Sequence, residues 1–399
     1  MTMSLDLLVP KNGNLEEILL SRPTSSFSDE RKNFLSELAN AIIRTEKSRR
    51  FPDLLAFAFW CSNSNLTKLQ ERWKSESRTG RGVIFHIAPS NVPINFAYSW
   101  VTGFITGNVN VVRVPSKHFE QVELLLDIIN ALIQRVEFQH LGKEFALLRY
   151  VRDKSINDYL SSKCDVRVIW GGDQTISEIR QSPIPARTFD VTFADRYSMC
   201  IIDSQNYLEL KDKKQLAKSF FNDTYLMDQN ACTSPHLIVW LGDTSTSKDA
   251  QRIFWNSIEE LVTTNYEIST ISVVNKLVTS YSYASANANA VVSSEFENKL
   301  VRVEVPELVN GIDDFKSDSG LFYEFRAQDI DQALSVVNNR FQTLSYFGID
   351  PSNALQKIKD LGLTGIDRIV PIGKTLDFDL IWDGYELPIF FTRTISTVN

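Results

Sequence analysis

The stretch "DQNACTSPH", Asp228 to His236, holds one of only four cysteines in 399 residues. A cysteine without a metal or disulfide partner is most often a small core residue, and a core position should be flanked by apolar neighbours. Cys232 instead sits among Asp228, Gln229, Asn230, Thr233 and Ser234, with Pro235 fixing the exit. That setting favours a reactive cysteine over a packed one, and a cysteine that reacts needs surroundings that stabilise what it attacks, such as a donor for an oxyanion. "APSNVP", 88–93, offers one: Asn91 lies between two prolines that restrict the backbone and hold the amide in one direction. The alternative is an Asx-turn that caps the helix after it. "WGGDQTI", 170–176, contributes Gly171 and Gly172, where a backbone could approach a phosphate at a helix start. It is not a G-x-G-x-x-G fingerprint, and a plain tight turn between strand and helix explains it equally well.

These residues need elements to hold them. Residues 14–80 read as mainly helical, with apolar residues recurring every three and four in "FLSELANAIIRT". "RTGRG", 78–82, is a hinge into a buried strand over 82–88. Helices over 94–108 and 119–136 then alternate with strands over 109–114, 145–151 and 166–170. Strand and helix alternating without hairpin signals predict a parallel sheet with crossover helices. Ligands collect at the carboxyl ends of such strands, which is where 88–93 and 171–172 fall. A second α/β domain follows "FADRYSMCIID", 193–203, with a helix near 213–227, a strand over 236–242, a helix over 249–263 and an amphipathic helix over 329–341. The expected divisions are 1–80, a helical part of the first domain; 81–198, a Rossmann-like domain; 199–365, the domain carrying Cys232; and 366–399, whose "LPIFFTRTIS" reads as an edge strand able to pair between subunits.

The totals narrow the function. Composition is globular, with 43% hydrophobic and 23% charged residues. A net charge of -7 leaves no basic surplus for nucleic acid. Cys61, Cys164, Cys200, Cys232 and four scattered histidines show no metal-ligand spacing, and so few cysteines fit a reducing cytoplasm. The start, "MTMSLDLLVPKNGNLEE", has acids where a signal peptide has a basic region, and the most apolar run, 83–112, is broken by His86, Pro89, Asn91, Pro93 and Asn95. A soluble cytoplasmic protein without a membrane span is expected.

"GVIFHIAPSNVPINFAYSWVTGFITGNVNVVRVPS" resembles the nicotinamide-binding stretch of the aldehyde dehydrogenase superfamily: strand, P-x-N-x-P turn, helix, "TGN", strand, proline. "WGG" falls at that superfamily's glycine turn, and Cys232 follows at the distance of its catalytic cysteine. "DQNACTSP" and "GIDRIVPIGKTLDFDLIWDGYEL", 365–387, are similar to the acyl-CoA reductase branch, the LuxC family of fatty acid reductases. The resemblance runs from about Gly82 to Leu387. It implies an α/β fold of the aldehyde dehydrogenase kind, with two parallel-sheet domains. It also implies Cys232 and Asn91 as catalytic residues, and Pro89, Ser90, Arg113, Lys117, Gly171 and Gly172 around the cofactor.

Three departures refine the expectation. Phe193 stands near the place of the glutamate with which hydrolytic members activate water, so a thioester reductase, which needs no such base, fits better. The E-x-F-G-P motif that holds the nicotinamide ribose is not visible; Asp314 to Ser317 read "DFKS". "VPSK" places Lys117 where NAD-preferring members carry an acid, with Arg113 nearby and His118 following, which favours NADPH over NADH; the alternative is an ordinary exposed lysine. The expected substrate is a fatty-acyl thioester on coenzyme A or on a protein. An acyl-protein synthetase partner and a homo-oligomer are implied by the resemblance. Oxidation of an aldehyde, and a catalytically silent acyl-transfer scaffold, stay open at this stage. His236, four residues past Cys232, could raise its thiolate fraction unless the strand beginning there turns it away.

Overall fold

Every residue of Val83–Ile87 is buried, which marks a strand covered on both faces rather than one with a wet side. In the computed structural model, which describes residues 5–89, 92–293 and 295–397, this strand is the centre of a six-stranded sheet. The chain divides into two compact units, residues 1–194 with 378–399, and residues 195–377. The expected boundaries had been 198/199 and 365/366.

The first unit opens with β1 (Asp6–Val9) and four helices, α1 (Leu15–Leu19), α2 (Asp29–Arg44), α3 (Pro52–Trp60) and α4 (Asn63–Trp73). After β2 (Arg78–Gly80), strands β3 (Val83–Ile87), β4 (Val109–Arg113), β5 (Phe145–Arg149), β6 (Val166–Trp170) and β7 (Phe189–Phe193) alternate with α5 (Asn95–Ile105), α6 (Glu120–Ile133), α7 (Lys154–Ser161) and α8 (Asp173–Arg180). The order is β1-β5-β4-β3-β6-β7, with β3 to β7 parallel and β1 antiparallel at the edge. Successive crossovers from β3 travel one way to β4 and β5, then return to β6 on its other side. The switch point of the sheet therefore lies between the carboxyl ends of β3 and β6, which is where ligands bind in such folds.

The second unit is one continuous segment. It contains β8 (Tyr197–Asp203), α9 (Ser204–Glu209), α10 (Lys213–Thr224), β9 (Pro235–Leu241), α11 (Thr244–Asn265), α12 (Thr270–Ala286), β10 (Val291–Val292), β11 (Val301–Glu304), β12 (Leu321–Ala327), α13 (Ile330–Ala333), β13 (Phe341–Phe347), α14 (Pro351–Asp360) and β14 (Arg368–Pro371). Its seven-stranded sheet runs β10-β11-β12-β9-β8-β13-β14, parallel except for β10. The chain then returns to the first unit as β15 (Ile381–Trp382), β16 (Tyr385–Glu386), α15 (Leu387–Phe391) and β17 (Thr392–Thr394).

Three expectations need correction. The amphipathic helix expected over 329–341 stops at Ala333. Asn338 takes backbone bonds that a helix would use, its Oδ1 accepting from Arg340 N at 2.8 Å. Gly365 also passes so close that a Cβ would lie 2.0 Å from Asn338 O. The "LPIFFTRTIS" segment is a helix followed by a short strand, and that strand pairs antiparallel with β2 of the same chain. Helix α12 was not expected at all. Its buried residues are Ser272, Lys276, Ser280 and Tyr283, while Ile271, Val274, Val278 and Tyr281 are exposed. The polar stripe faces inward, opposite to the pattern that identifies a surface helix.

Candidate active site

In the first unit the site is built from the carboxyl ends of β3, β4 and β6. Ile87 is in register with Arg113 on one side and Ile169 on the other, so Pro89, Arg113 and the Gly171–Gly172 turn all leave the same edge of the sheet. Lys117 follows β4 four residues later. Ser90 and Asn91 lie outside the described residues.

A buried polar chain fixes this edge from beneath. Trp170 Nε1–H donates to Ser99 Oγ at 3.1 Å, Ser99 bonds His86 Nδ1 at 2.8 Å, and His86 Nε2 meets Asn110 Oδ1 at 3.0 Å. Asn110 Nδ2 donates to Asn108 O at 3.0 Å, which leaves its Oδ1 as the acceptor. His86 therefore carries its proton on Nε2 and accepts from the Ser99 hydroxyl on Nδ1. Burial pushes the imidazole down to about 4, so it stays neutral. Gly103 on α5 leaves room for the chain, since a Cβ there would lie 2.0 Å from Asn110 Oδ1. The "TGN" residues have their own local reason: Gly107 is left-handed at φ 91°, and Asn108 Oδ1 accepts from Arg81 N at 2.7 Å and Gly82 N at 3.2 Å.

Above this chain the Trp170 and Phe193 rings stack at 3.8 Å and 23°, with Tyr385 edge-on to Phe193 at 5.8 Å. Gly171 N donates to Phe193 O at 3.1 Å. Gly172 caps α8, and a Cβ built on it would meet nothing within 4 Å. No protein atom requires glycine there, so the open ground in front of it is available to a ligand. The Arg113 guanidinium lies over the Tyr150 ring at 4.6 Å and bonds Tyr150 O at 3.4 Å. Lys117 is exposed over Phe119 at 5.1 Å. The nearby acid, Glu123, is engaged by Arg149 at 2.6 Å and faces His118 at 3.3 Å. Open backbone at the start of α8, plus one cation at the end of β4 and another in the loop after it, fit the pyrophosphate and adenosine end of a dinucleotide.

Cys232 belongs to the second unit, in the turn that joins α10 to β9. It is partly exposed, whereas Cys61, Cys164 and Cys200 are buried. Burial holds the thiol of Cys61 well above its ordinary range and pushes those of Cys164 and Cys200 up to about 12; none of the three can supply a thiolate. The Cys232 turn begins with two consecutive left-handed residues, Asp228 (φ 49°) and Gln229 (φ 57°). Such backbone persists only when its surroundings over-determine it, and here they do. The buried Gln229 amide donates to Pro235 O and Leu321 O, both at 3.0 Å, and accepts from Gly320 N at 2.8 Å and Leu321 N at 3.1 Å. Ser234 Oγ donates to Asp223 O at 2.7 Å, and Ser319 N donates to Asp228 O at 2.9 Å. Ser198 Oγ donates to Cys232 O at 2.6 Å while accepting from Thr343 N at 3.2 Å. The polar neighbours that drew attention to Cys232 are mostly its scaffold: Gln229, Thr233 and Ser234 are each at most 3% exposed.

His236 is not an activator. Its ring is buried and stacks on Tyr197 at 5.4 Å and 25°, and neither nitrogen has a hydrogen-bond partner among the described residues. Burial, assisted by the Lys316 charge, holds its pKa well below 6.5. Sequence reasoning missed Ser198, Ser319 and Gly320, because they lie 34 to 88 positions from Cys232 and carry no local signal. Among the described residues no cluster of three or more histidine, cysteine or carboxylate groups could hold a metal ion, and no helix is long and apolar enough to cross a membrane.

Comparison with known proteins identifies the fold and the family. The chain is similar to an Escherichia coli lactaldehyde dehydrogenase structure (TM-score 0.61, 14% identity, covering 92% of this chain and 85% of that one). It is also similar to a Thermus 1-pyrroline-5-carboxylate dehydrogenase solved with bound NAD (TM-score 0.61, 12% identity, 90% and 77% covered). At that identity the likeness establishes the fold, an aldehyde-dehydrogenase-like α/β architecture. In sequence it is 24% identical over 310 residues to a long-chain acyl-protein thioester reductase of Aliivibrio fischeri, across 73% of this chain and 58% of that protein. A Vibrio harveyi protein of the same description is 26% identical over 187 residues, 44% of this chain and 37% of the relative. The chain thus spans little more than half the length of the first of these relatives. The family model described as acyl-CoA reductase (LuxC) matches residues 62–390. A match over most of the sequence makes this chain a member of the acyl-CoA reductase (LuxC) family.

Proposed function

We propose that this protein reduces a fatty-acyl thioester to the aldehyde with NADPH, through an acyl-Cys232 intermediate. The observation that carries the reading is the contrast among the cysteines: three are buried, two of them with thiols near 12, and the fourth is partly exposed on a turn held rigid on every side.

The Cys232 thiolate attacks the thioester carbonyl, and the Asn91 amide with the Cys232 backbone N–H holds the tetrahedral oxyanion. Collapse expels the donor thiol and leaves an acyl-cysteine. A bound nicotinamide supplies hydride to that thioester carbonyl. The resulting tetrahedral species expels the Cys232 thiolate and releases aldehyde, so one thioester, one hydride and one proton give one aldehyde and one thiol. Arg113 and Lys117 hold the 2′-phosphate end of the cofactor, and Gly171 and Gly172 let its pyrophosphate approach β6 and α8; Pro89 and Ser90 are further cofactor-binding residues by the family resemblance. Phe193, an apolar ring 3% exposed and stacked on Trp170, supports the reading that the chain carries no water-activating carboxylate at the position the family resemblance gives it, so the acyl-enzyme is not diverted to acid.

The acyl group is a long chain, delivered on coenzyme A or on a protein by an acyl-protein synthetase. The relatives' description as long-chain acyl-protein thioester reductases supports the long chain and the protein-bound donor; the synthetase partner and a homo-oligomer are proposed on the family resemblance alone. The low cysteine count, four in 399 residues, supports a reducing, cytoplasmic setting. The test is intact mass after incubation with an acyl-CoA or an acylated carrier protein, without NADPH. The expected result is one acyl adduct on the wild type, none on Cys232→Ala, and discharge as aldehyde when NADPH is added. Reductase activity above trace in Cys232→Ala would overturn the mechanism.

A further inference from the structure

The inside-out face of α12 carries a residue that the mechanism above does not use. Lys276 is 0% exposed, and its ammonium donates to Ser319 O at 2.6 Å and Asn298 O at 2.5 Å. Burying an ammonium is costly, and a methionine would fill the same space. The charge therefore needs a reason at this position.

Residues 319–321 give that reason. Ser319, itself left-handed at φ 58°, donates its N–H to Asp228 O at 2.9 Å, and the N–H groups of Gly320 and Leu321 both donate to Gln229 Oε1. Tyr266 ties the same two segments together, donating to Asp228 Oδ1 at 2.7 Å and bonding Ser319 Oγ at 3.0 Å. Three successive residues thus form the floor on which the Cys232 turn rests, and Lys276 grips that floor through the Ser319 carbonyl. We propose that Lys276 is a positioning residue for Cys232: by holding the Ser319 and Asn298 carbonyls it fixes residues 319–321, and through them the Asp228–Pro235 turn. The inference rests on the reading of Cys232 as the nucleophile.

The surrounding charges fit a strut that works as a cation. Asp318 is the carboxylate beside it, with Oδ2 accepting from Ser272 at 3.3 Å and Oδ1 buried without a partner among the described residues. Asp228 and Tyr266 bond the N–H and hydroxyl of the same Ser319 whose carbonyl Lys276 holds. Lys299, next to Asn298, is turned to Val262 O and Thr263 O at 3.3 and 3.2 Å. Burial lowers the Lys276 ammonium to about 7, with Asp318 opposing the fall; the two short carbonyl bonds favour the charged form further.

The experiment compares the full-length wild type with Lys276→Met, Lys276→Gln and Lys276→Arg. It reads the rate of acyl-adduct formation by quenched intact mass, steady-state kcat and KM, and NADPH affinity by fluorescence. Displacing a nucleophile by about 1 Å costs on the order of 100-fold, so Lys276→Met should acylate roughly 10- to 100-fold more slowly. KM should move less than about threefold, NADPH affinity should hold, and Lys276→Arg should recover most of the loss. Wild-type acylation in Lys276→Met would overturn the proposal. If Lys276→Met does not fold, Lys276→Gln, which keeps a neutral donor, is decisive: slowed acylation with intact NADPH binding supports the strut, and an unchanged rate refutes it. Absence of any adduct on the wild type would instead overturn the nucleophile reading, so the two failures are distinguishable.

Discussion

Replacing Gln229 with methionine tests the claim that one buried amide organises the catalytic turn. The side chain is 1% exposed and makes four hydrogen bonds, two donated and two accepted, all to backbone. Methionine keeps the length and apolar volume but can neither donate nor accept with comparable strength. Each lost bond is worth roughly 0.5–1.5 kcal/mol net, and each backbone group left buried without a partner adds a desolvation cost of about 1–3 kcal/mol. Some of the four groups will find new partners as the turn relaxes, so the expected loss is about 3–6 kcal/mol, a large share of a typical total of about 5–15. Urea unfolding followed by circular dichroism should show a lower midpoint with an unchanged slope, and thermal unfolding should shift down by roughly 10 °C or more. Acylation of Cys232 should slow in the same variant. A loss below about 1 kcal/mol with wild-type acylation would refute the reasoning. Gln229→Glu sharpens the test, because an oxygen would then face Pro235 O and Leu321 O and must be protonated to bond them. Its folded pKa would rise above the unfolded value of about 4.3, so its stability would be full below that value and lost as pH rises through the folded one.

Asp223 supplies a pH signature of the wild type: burial raises its carboxyl to about 6, against bonds from Gly373 N and Thr375 N. Because the folded pKa exceeds the unfolded 3.8, this group's contribution is full below about pH 4 and is lost as pH rises through about 6. The stability of the wild type relative to Asp223→Asn should therefore fall by roughly 1–3 kcal/mol across that window in urea titrations; a flat difference would refute it. Lys117→Glu should weaken NADPH binding about tenfold or more and leave NADH binding little changed, measured by fluorescence titration. Equal losses for both cofactors would place the 2′-phosphate elsewhere.

The strands of the first unit could be read from the sequence because each is a short apolar run between helices, a pattern that survives into three dimensions wherever both faces of a sheet are covered. Cys232 was found for a sound reason, but the reason acted differently from the expectation. Gln229, Thr233 and Ser234 are buried and hold the turn, while Asp228 and Asn230 are exposed and Cys232 itself is partly exposed. The segment 329–341 misled because periodicity records spacing and not the competing bonds of Asn338 or the close passage of Gly365. Helix α12 escaped because its apolar residues face outward and its core side is serine, lysine and tyrosine. Residues 319–321 and Lys276 could not be found, since their effect on Cys232 depends on contacts between positions 43 to 92 residues apart.

The return of the chain after β14 has a consequence for synthesis. Leu387 and Phe391 are buried in one cluster with Ile84, Val166, Val168, Val191 and Phe193, Asn108 Nδ2 donates to Phe391 O at 2.9 Å, and β17 completes the pairing of β2. The core around β3 and β6 therefore lacks part of its wall until those last residues have been made. At about 5–20 residues per second, the interval between Phe193 and Leu387 is on the order of 10–40 s. During that time the intervening unit, continuous in sequence, can close while the earlier one waits with apolar strands uncovered on the ribosome. A nascent chain stalled before residue 387 should accordingly be the species most dependent on chaperones.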